Sequence, residues 1–420
     1  MLAAELPDVA LHASIDRYGD LGIHAVLDLR RRFSREELTR ALAAAVEAFP
    51  VLGCRYEPGL WRDRWLPVSA PVSRAVHEVS VPVDVDAETE RWARRPIDVR
   101  RERPLRLVSI ERPEGTRLLF SISHVAADGG GIAAVGHVLG AHLAGVSPAF
   151  PVDRDRTVAG SLAGLRAWHL PVLLRDMAAT AAFPLRTLGA ARRERHFPAA
   201  TAEPAAWRHL RIAPDDLARI KQRSGTSVND ALLAALARVA AGRSSQGPLA
   251  VMYTMDLRRY AGTPKLTAAN TSSILTAFVP RSVTKDLATS ARAVARITAR
   301  QRGGLAGPAF VLAPLSLAFG APHFVARRIV RWLHPLLIDL PLSRGLVFTN
   351  VGKVDDGLAA FGDDLESVAV IGPNVWGIRV PAVVAFGFRG ALHLELFAPP
   401  GLAPEALTDL ERELRAALEL

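Results

Sequence analysis

One cysteine in 420 residues is the sharpest shortage in this sequence. A lone Cys54 excludes an internal disulfide, a CxxC redox pair and any thiolate metal cluster. A reducing, cytoplasmic setting follows as the expectation. Cys54 sits among apolar neighbours in Phe-Pro-Val-Leu-Gly-Cys-Arg-Tyr and reads as a small buried hydrophobe. Long apolar runs are equally scarce. The longest uncharged one, residues 309–326, is interrupted by Pro314, Gly320, Pro322 and His323, so no membrane-spanning helix is expected. The opening Met-Leu-Ala-Ala-Glu-Leu-Pro-Asp is acidic and lacks the apolar core of a secretory signal. The 12 histidines are scattered, with no HExxH and no ligand-spaced cluster, so no metal site is expected. No GxSxG elbow offers a serine nucleophile. No short period recurs, which excludes a solenoid.

What is present is a large apolar fraction, 50% of residues, and a formal charge of +10 carried mostly by arginine. The length fits two packed subdomains. A basic surface attracts phosphates, acidic carrier proteins or anionic membrane. Nucleic acid is disfavoured because the arginines are dispersed, without an aromatic-studded basic stripe.

Helix and strand signals alternate throughout. Residues 22–29 read as a strand, and Ser34 with Glu37 forms a capping box ahead of the stripe Leu38, Leu42, Val46 and Phe49. Residues 105–111 and 117–123 read as a hairpin across Pro113-Glu114-Gly115. In the second half, helices are expected after Pro214 and Ser227, over 285–300 and after Pro404. Strands are expected at 249–257, 346–350 and 368–371, with a closing hairpin around Arg389-Gly390. Between the halves, residues 145–205 break the rhythm with scattered prolines, an apolar basic stretch at 162–188 and Arg192-Arg193-Glu194-Arg195. The stretch is expected to pack on the body, an interfacial amphipathic helix being the alternative. The expected division is 1–150, a linker at 151–205, and 206–420.

Residues 117–131 carry the chemistry. Leu118, Phe120 and Ile122 alternate with Leu119, Ser121 and Ser123 as in a half-buried strand, which runs straight into His124. Asp128 follows four residues later, then Gly129, Gly130 and Gly131, and Ile132, Val135 and Leu139 fall at helical spacing. His124 is therefore expected on a loop between strand and helix, where a positioned imidazole can take a proton near neutral pH. Asp128 would orient it, brace the loop or cap the helix. Gly129 to Ala134 also fits GxGxxA. However, five residues separate strand from first glycine, and no run of parallel βα units precedes it, which disfavours a dinucleotide enzyme.

Ser123-His124-Val125-Ala126-Ala127-Asp128-Gly129 resembles the HHxxxDG motif of the condensation-domain superfamily, with Ser123 at the first histidine. That group includes chloramphenicol acetyltransferase, peptide-synthetase condensation domains, plant BAHD acyltransferases and wax ester synthase/diacylglycerol acyltransferases. Further segments are similar to the superfamily in the order it would demand. Residues 38–56 resemble its opening helix and strand, and Gly225-Thr226-Ser227-Val228-Asn229-Asp230 a helix start of the wax ester synthase branch. Met255-Asp256-Leu257-Arg258-Arg259 resembles an arginine-bearing strand end, and Phe348-Thr349-Asn350-Val351-Gly352 a strand of the alcohol acetyltransferase branch. The closing hairpin, with Phe386-Gly387-Phe388, and the helix after it match as well. The BAHD pattern DFGWG has only a faint echo there and in Val375-Trp376-Gly377.

The resemblance implies an α/β fold of two chloramphenicol-acetyltransferase-like subdomains, mixed sheets flanked by helices, with an active-site tunnel between them. It implies His124 midway along that tunnel as general base and Asp128 paired with an arginine, the position carried onto Arg258. Ser123, Gly129, Thr349 and Asn350 are the expected substrate contacts, Asn350 or Thr349 facing the oxyanion. The implied co-substrate is acyl-CoA or the phosphopantetheinyl thioester of an acyl carrier protein, with no bound cofactor. The acceptor would be a hydroxyl or amine of a lipid or natural product, and the apolar runs at 162–188 and 309–340 would suit it or a brief peripheral membrane contact. The length, with no attached carrier or adenylation region, favours a free-standing transferase. A domain that epimerises or cyclises carrier-bound substrates is one alternative, and an inactive binding module that docks a carrier protein is another.

Overall fold

The computed structural model describes residues 1–80, 84–192, 197, 204–244, 246–318, 320–373 and 380–420. Residues 193–195 of the expected linker and the triplet 375–377 lie outside the described residues. Two mixed sheets flanked by helices organise the chain. The first has five strands in the order Leu365–Ile371, Gly22–Leu29, Gly115–Ser123, Leu105–Arg112 and Val76–Val79, antiparallel except for the last pair. The second has six, in the order Ser272–Val279, Leu249–Asp256, Gly345–Lys353, Ala382–Phe388, Ala391–Ala398 and Ala206–Ile212. Gly345–Lys353 runs parallel to both neighbours and the other pairs are antiparallel. A small three-stranded sheet joins Leu2–Ala3, Arg64–Pro67 and Cys54–Glu57.

Local signals account for most elements. Ser34 caps the helix Arg35–Ala48, with Glu37 reaching back to the Ser34 N–H at 2.8 Å. The helix buries Leu38 and Leu42 against Leu118, Phe120 and the helix Gly129–Leu143. The closing hairpin turns through Arg389 and Gly390, with φ of 47° and 74°; two successive left-handed residues match the twist of the strands they join. The final helix, Glu405–Leu418, buries Leu407, Leu410, Leu414 and Leu418 on one side. Cys54 is buried as its neighbours imply, its thiol donating to Pro50 O.

The Gly115–Ser123 strand is buried on both faces rather than half-buried. Leu118, Phe120 and Ile122 enter the main core, while Leu119 meets Val26, Val108, Ile110 and Trp92 on the other face. Helix Val85–Ala93 carries Trp92 there and covers what the alternation left to solvent.

The halves interleave. Strand Leu365–Ile371, from the C-terminal part of the chain, completes the first sheet beside Gly22–Leu29. Helix His323–His334 packs on helix Leu6–Tyr18, joined by Ser14 to His334 at 2.9 Å and by Arg331 to Asp16. In the stretch 162–188, Leu170–Ala181 lies along helix Ala306–Ala318 with none of its residues fully buried. Trp168, Leu170, Leu174 and Leu185 are all more than half exposed. Among the described residues, no helix is long and apolar enough to cross a membrane.

Candidate active site

The motif loop is built from three backbone anchors. The strand ends as Ser123 N donates to Pro104 O, His124 N to Leu21 O at 2.9 Å, and Asp128 N to Ala269 O at 3.2 Å. Asp128 is the N-cap of helix Gly129–Leu143, accepting from Gly131 N at 2.9 Å. Its other oxygen accepts from Thr271 N at 2.9 Å and Ser272 Oγ at 2.7 Å. Arg258 completes the arrangement as a bidentate partner, Nη2 to Oδ1 at 2.8 Å and Nη1 to Oδ2 at 3.2 Å. Burial alone would raise this carboxyl, but Arg258, Ser272 and Gly131 outweigh it and hold the group below the usual carboxylate range.

The glycines divide in their roles. A Cβ at Gly130 would stand 2.7 Å from Arg258 Nη1, and one at Gly131 2.7 Å from the Ala127 Cβ. Close approach of Ala127 and the Ala269 backbone favours glycine at 131, whereas a Cβ at 130 would press on the guanidinium that holds Asp128. A Cβ at Gly129 would meet only Val351 Cγ2, at 4.0 Å, across a cavity that Gly129 lines.

That cavity, of about 610 Å³, runs between the two sheets and is lined mainly by apolar side chains. Leu118 and Phe120 come from the first sheet, Ala133 and Gly136 from the motif helix, and Val347 and Thr349 from the second sheet. His124 lies in the wall, half-buried, with Nδ1 3.2 Å from Asn270 Oδ1. Among the described residues, its Nε2 has no hydrogen-bond partner.

The expected contacts separate at this point. Thr349 faces the cavity and shares a 2.7 Å hydrogen bond with the Thr254 hydroxyl, which also lines it. Asn350, one residue on, is not part of the cavity wall. Its Nδ2 donates to Asn229 Oδ1 at 3.3 Å and its Oδ1 accepts from Gly352 N at 2.8 Å. Strand alternation is the reason: adjacent side chains point to opposite faces. Ser123 is buried, its Oγ 3.4 Å from Val125 N and outside the cavity wall.

Sequence reasoning missed a second cluster behind His124. Asn270, 7% exposed, donates from Nδ2 to Val125 O at 2.9 Å and to Asp8 Oδ1 at 3.1 Å. Asp8, 1% exposed, accepts on Oδ2 from Arg156 Nη2 at 2.8 Å and Trp65 Nε1 at 3.0 Å. Arg156 Nη1 in turn donates to Ala126 O at 2.9 Å and Ala268 O at 2.8 Å.

No protein-family model matches the chain, and no curated protein matches it. Solved structures do, along its whole length. The first condensation domain of the CDA synthetase aligns with 18% identity and a TM-score of 0.68, over 100% of this chain and 95% of that one. The chain has the condensation-domain fold. The same fold is seen in the trichothecene 15-O-acetyltransferase of Fusarium sporotrichioides, at 14% identity, 100% and 95% coverage and a TM-score of 0.67. Polyketide synthase associated protein 5 of Mycobacterium tuberculosis matches at 16% identity, 99% and 97% coverage and a TM-score of 0.63. The two-subdomain mixed α/β architecture expected from the motif order is therefore the one present.

Proposed function

We propose that the protein is an acyltransferase that moves an acyl group from a thioester to a hydroxyl or amine, with His124 as general base. The observation that carries the reading is His124 in the wall of a largely apolar cavity between the two sheets, with Nδ1 held and, among the described residues, no partner on Nε2. Nε2 takes the proton of the acceptor as its oxygen or nitrogen attacks the thioester carbonyl carbon. The carbonyl oxygen becomes an oxyanion, for which the Thr349 hydroxyl is the donor at hand. The C–S bond then breaks, and the imidazolium returns its proton to the departing thiolate. No side chain becomes covalently attached. General-base catalysis of this kind contributes roughly two to four orders of magnitude, and holding both reactants in one cavity adds to it.

The apolar wall suits a lipid or natural-product chain. Lys353, exposed at the cavity wall, suits the phosphates of coenzyme A or of a carrier protein's phosphopantetheine arm, and the net charge of +10 favours such an anion at long range. Solved structures with this fold include a 15-O-acetyltransferase and the first condensation domain of the CDA synthetase, which supports an acyl-transfer reading. The test is thiol release from a panel of acyl-CoA and acyl-carrier thioesters, offered alcohols and amines, with products identified by mass. Release accompanied by ester or amide product supports the reading, and the best donor separates coenzyme A from carrier protein. Silence across the panel from folded protein would favour a binding module that docks a carrier.

A further inference from the structure

The amide of Asn270 can face only one way. Its Nδ2 lies 2.9 Å from Val125 O and 3.1 Å from Asp8 Oδ1. The first is a backbone carbonyl. The second belongs to a carboxylate ion-paired with Arg156 at 2.8 Å. Both are acceptors, so the amino end of the amide must point at them. Oδ1 is then left facing His124 Nδ1 at 3.2 Å. An amide oxygen only accepts, so Nδ1 must carry the hydrogen. Which nitrogen of a neutral imidazole is protonated follows from the hydrogen bond the other one makes.

We propose that Asn270 is a positioning residue that sets the tautomer of His124, keeping hydrogen on Nδ1 and the Nε2 lone pair turned to the cavity. The Asp8–Arg156 pair fixes the amide, and Arg156 reaches the motif loop itself through Ala126 O. Asn270 is therefore the middle of a chain from Arg156 through Asp8 to the imidazole. A carboxylate in its place would also accept from Nδ1, but would add a buried negative charge beside Asp8. The amide directs the ring without one. The kinetic consequence rests on the acyltransfer reading; the tautomer does not.

The test reads the tautomer directly. Two-bond ¹⁵N–¹H correlation spectra of protein labelled with ¹⁵N-histidine, held above the titration of free imidazole, distinguish Nδ1–H from Nε2–H. His124→Ala identifies the signal. Wild type is expected to show Nδ1–H at His124, and Asn270→Ala to move it toward Nε2–H. With the best donor, Asn270→Ala should lower kcat by about tenfold or more, by analogy with other catalytic histidines held in the wrong tautomer, while the KM for the thioester changes little. The exchange Asn270→Asp with Asp8→Asn keeps an acceptor toward His124 Nδ1 and places a donor at 8, while turning a carboxylate oxygen on Val125 O; it should regain Nδ1–H and part of the kcat lost in Asn270→Ala. An Nε2–H signal in the wild type overturns the proposal, as does an unchanged signal and kcat in Asn270→Ala. Should Asn270→Ala fail to fold, the wild-type spectrum and the exchange variant decide. A His124→Ala protein as active as wild type, with Nδ1–H intact in the latter, would sink the acyltransfer reading and leave the tautomer assignment standing.

Discussion

The loop that bears His124 is gripped on two sides, and the grips differ in kind. On the helix side Asp128 and Arg258 form a charged bidentate pair, reinforced by Ser272 Oγ and the N–H groups of Gly131 and Thr271. On the opposite side a neutral amide, Asn270, bridges Asp8 and Val125 O to the imidazole. The charged grip touches backbone and cap but not the histidine. It determines whether the loop exists in this shape. The neutral grip touches the ring itself and decides which nitrogen works. Asp128 and Arg258 hold only the loop, whereas Asn270 holds both the ring and Val125 O, and the comparison can be broken one side at a time.

The charged side should show the largest effect. Arg258→Ala leaves Asp128 buried without its counter-ion and should cost about 3–5 kcal/mol of stability, read from urea denaturation, with activity lost in parallel. The sign of the pH dependence follows from the depressed carboxyl. Its stabilisation is fully present above the ordinary carboxylate value, about pH 4, and is lost as pH falls through the lower folded value. Wild type should therefore begin to lose stability as pH falls below about 4 and go on losing it as pH falls further. Asp128→Asn should be less stable at neutral pH and should lose less over that range. An equal acid loss in the variant would place the sensitivity elsewhere.

A smaller effect is expected across the cavity. Thr349→Val keeps volume but removes the hydroxyl, and should lower kcat by about tenfold, roughly 1.4 kcal/mol, with little change in stability. A Thr349→Val enzyme at full rate would remove Thr349 from the oxyanion. The smallest change belongs to Asn350. Its amide is turned to Asn229 and Gly352, so Asn350→Ala should leave kcat and KM within about threefold. A loss equal to that of Thr349→Val would mean the strand presents its other face to substrate.

How far the sequence alone reached follows the same division. The charged grip was legible through the resemblance, since Asp128 belongs to a local pattern with His124 and the glycines and Arg258 follows the strand Leu249–Asp256 in a segment that resembles the family's arginine-bearing one. Helices with strong caps or stripes, such as those after Ser34, Ser227 and Pro404, were legible from those local signals. The neutral grip was not. Asn270 stands on an irregular segment before strand Ser272–Val279, 146 residues from His124 and 262 from Asp8. Nothing periodic announces it. Asp8 sits in helix Leu6–Tyr18, which buries Asp8, His12 and Ser14 beside its apolar residues and so shows no clean stripe. Strand Leu365–Ile371 was visible as a strand, but its place beside Gly22–Leu29 depends on pairing across more than three hundred residues. The facing of Thr349 and Asn350 was set by strand register, which a motif match does not supply.

The central claim is that His124 is the base in a thioester acyl transfer. The most direct measurement is kcat for wild type and His124→Ala on one thioester–acceptor pair, with matched circular dichroism and denaturation midpoints. Transfer is expected to fall by at least about a hundredfold without loss of fold. Equal turnover by the two proteins would contradict the account.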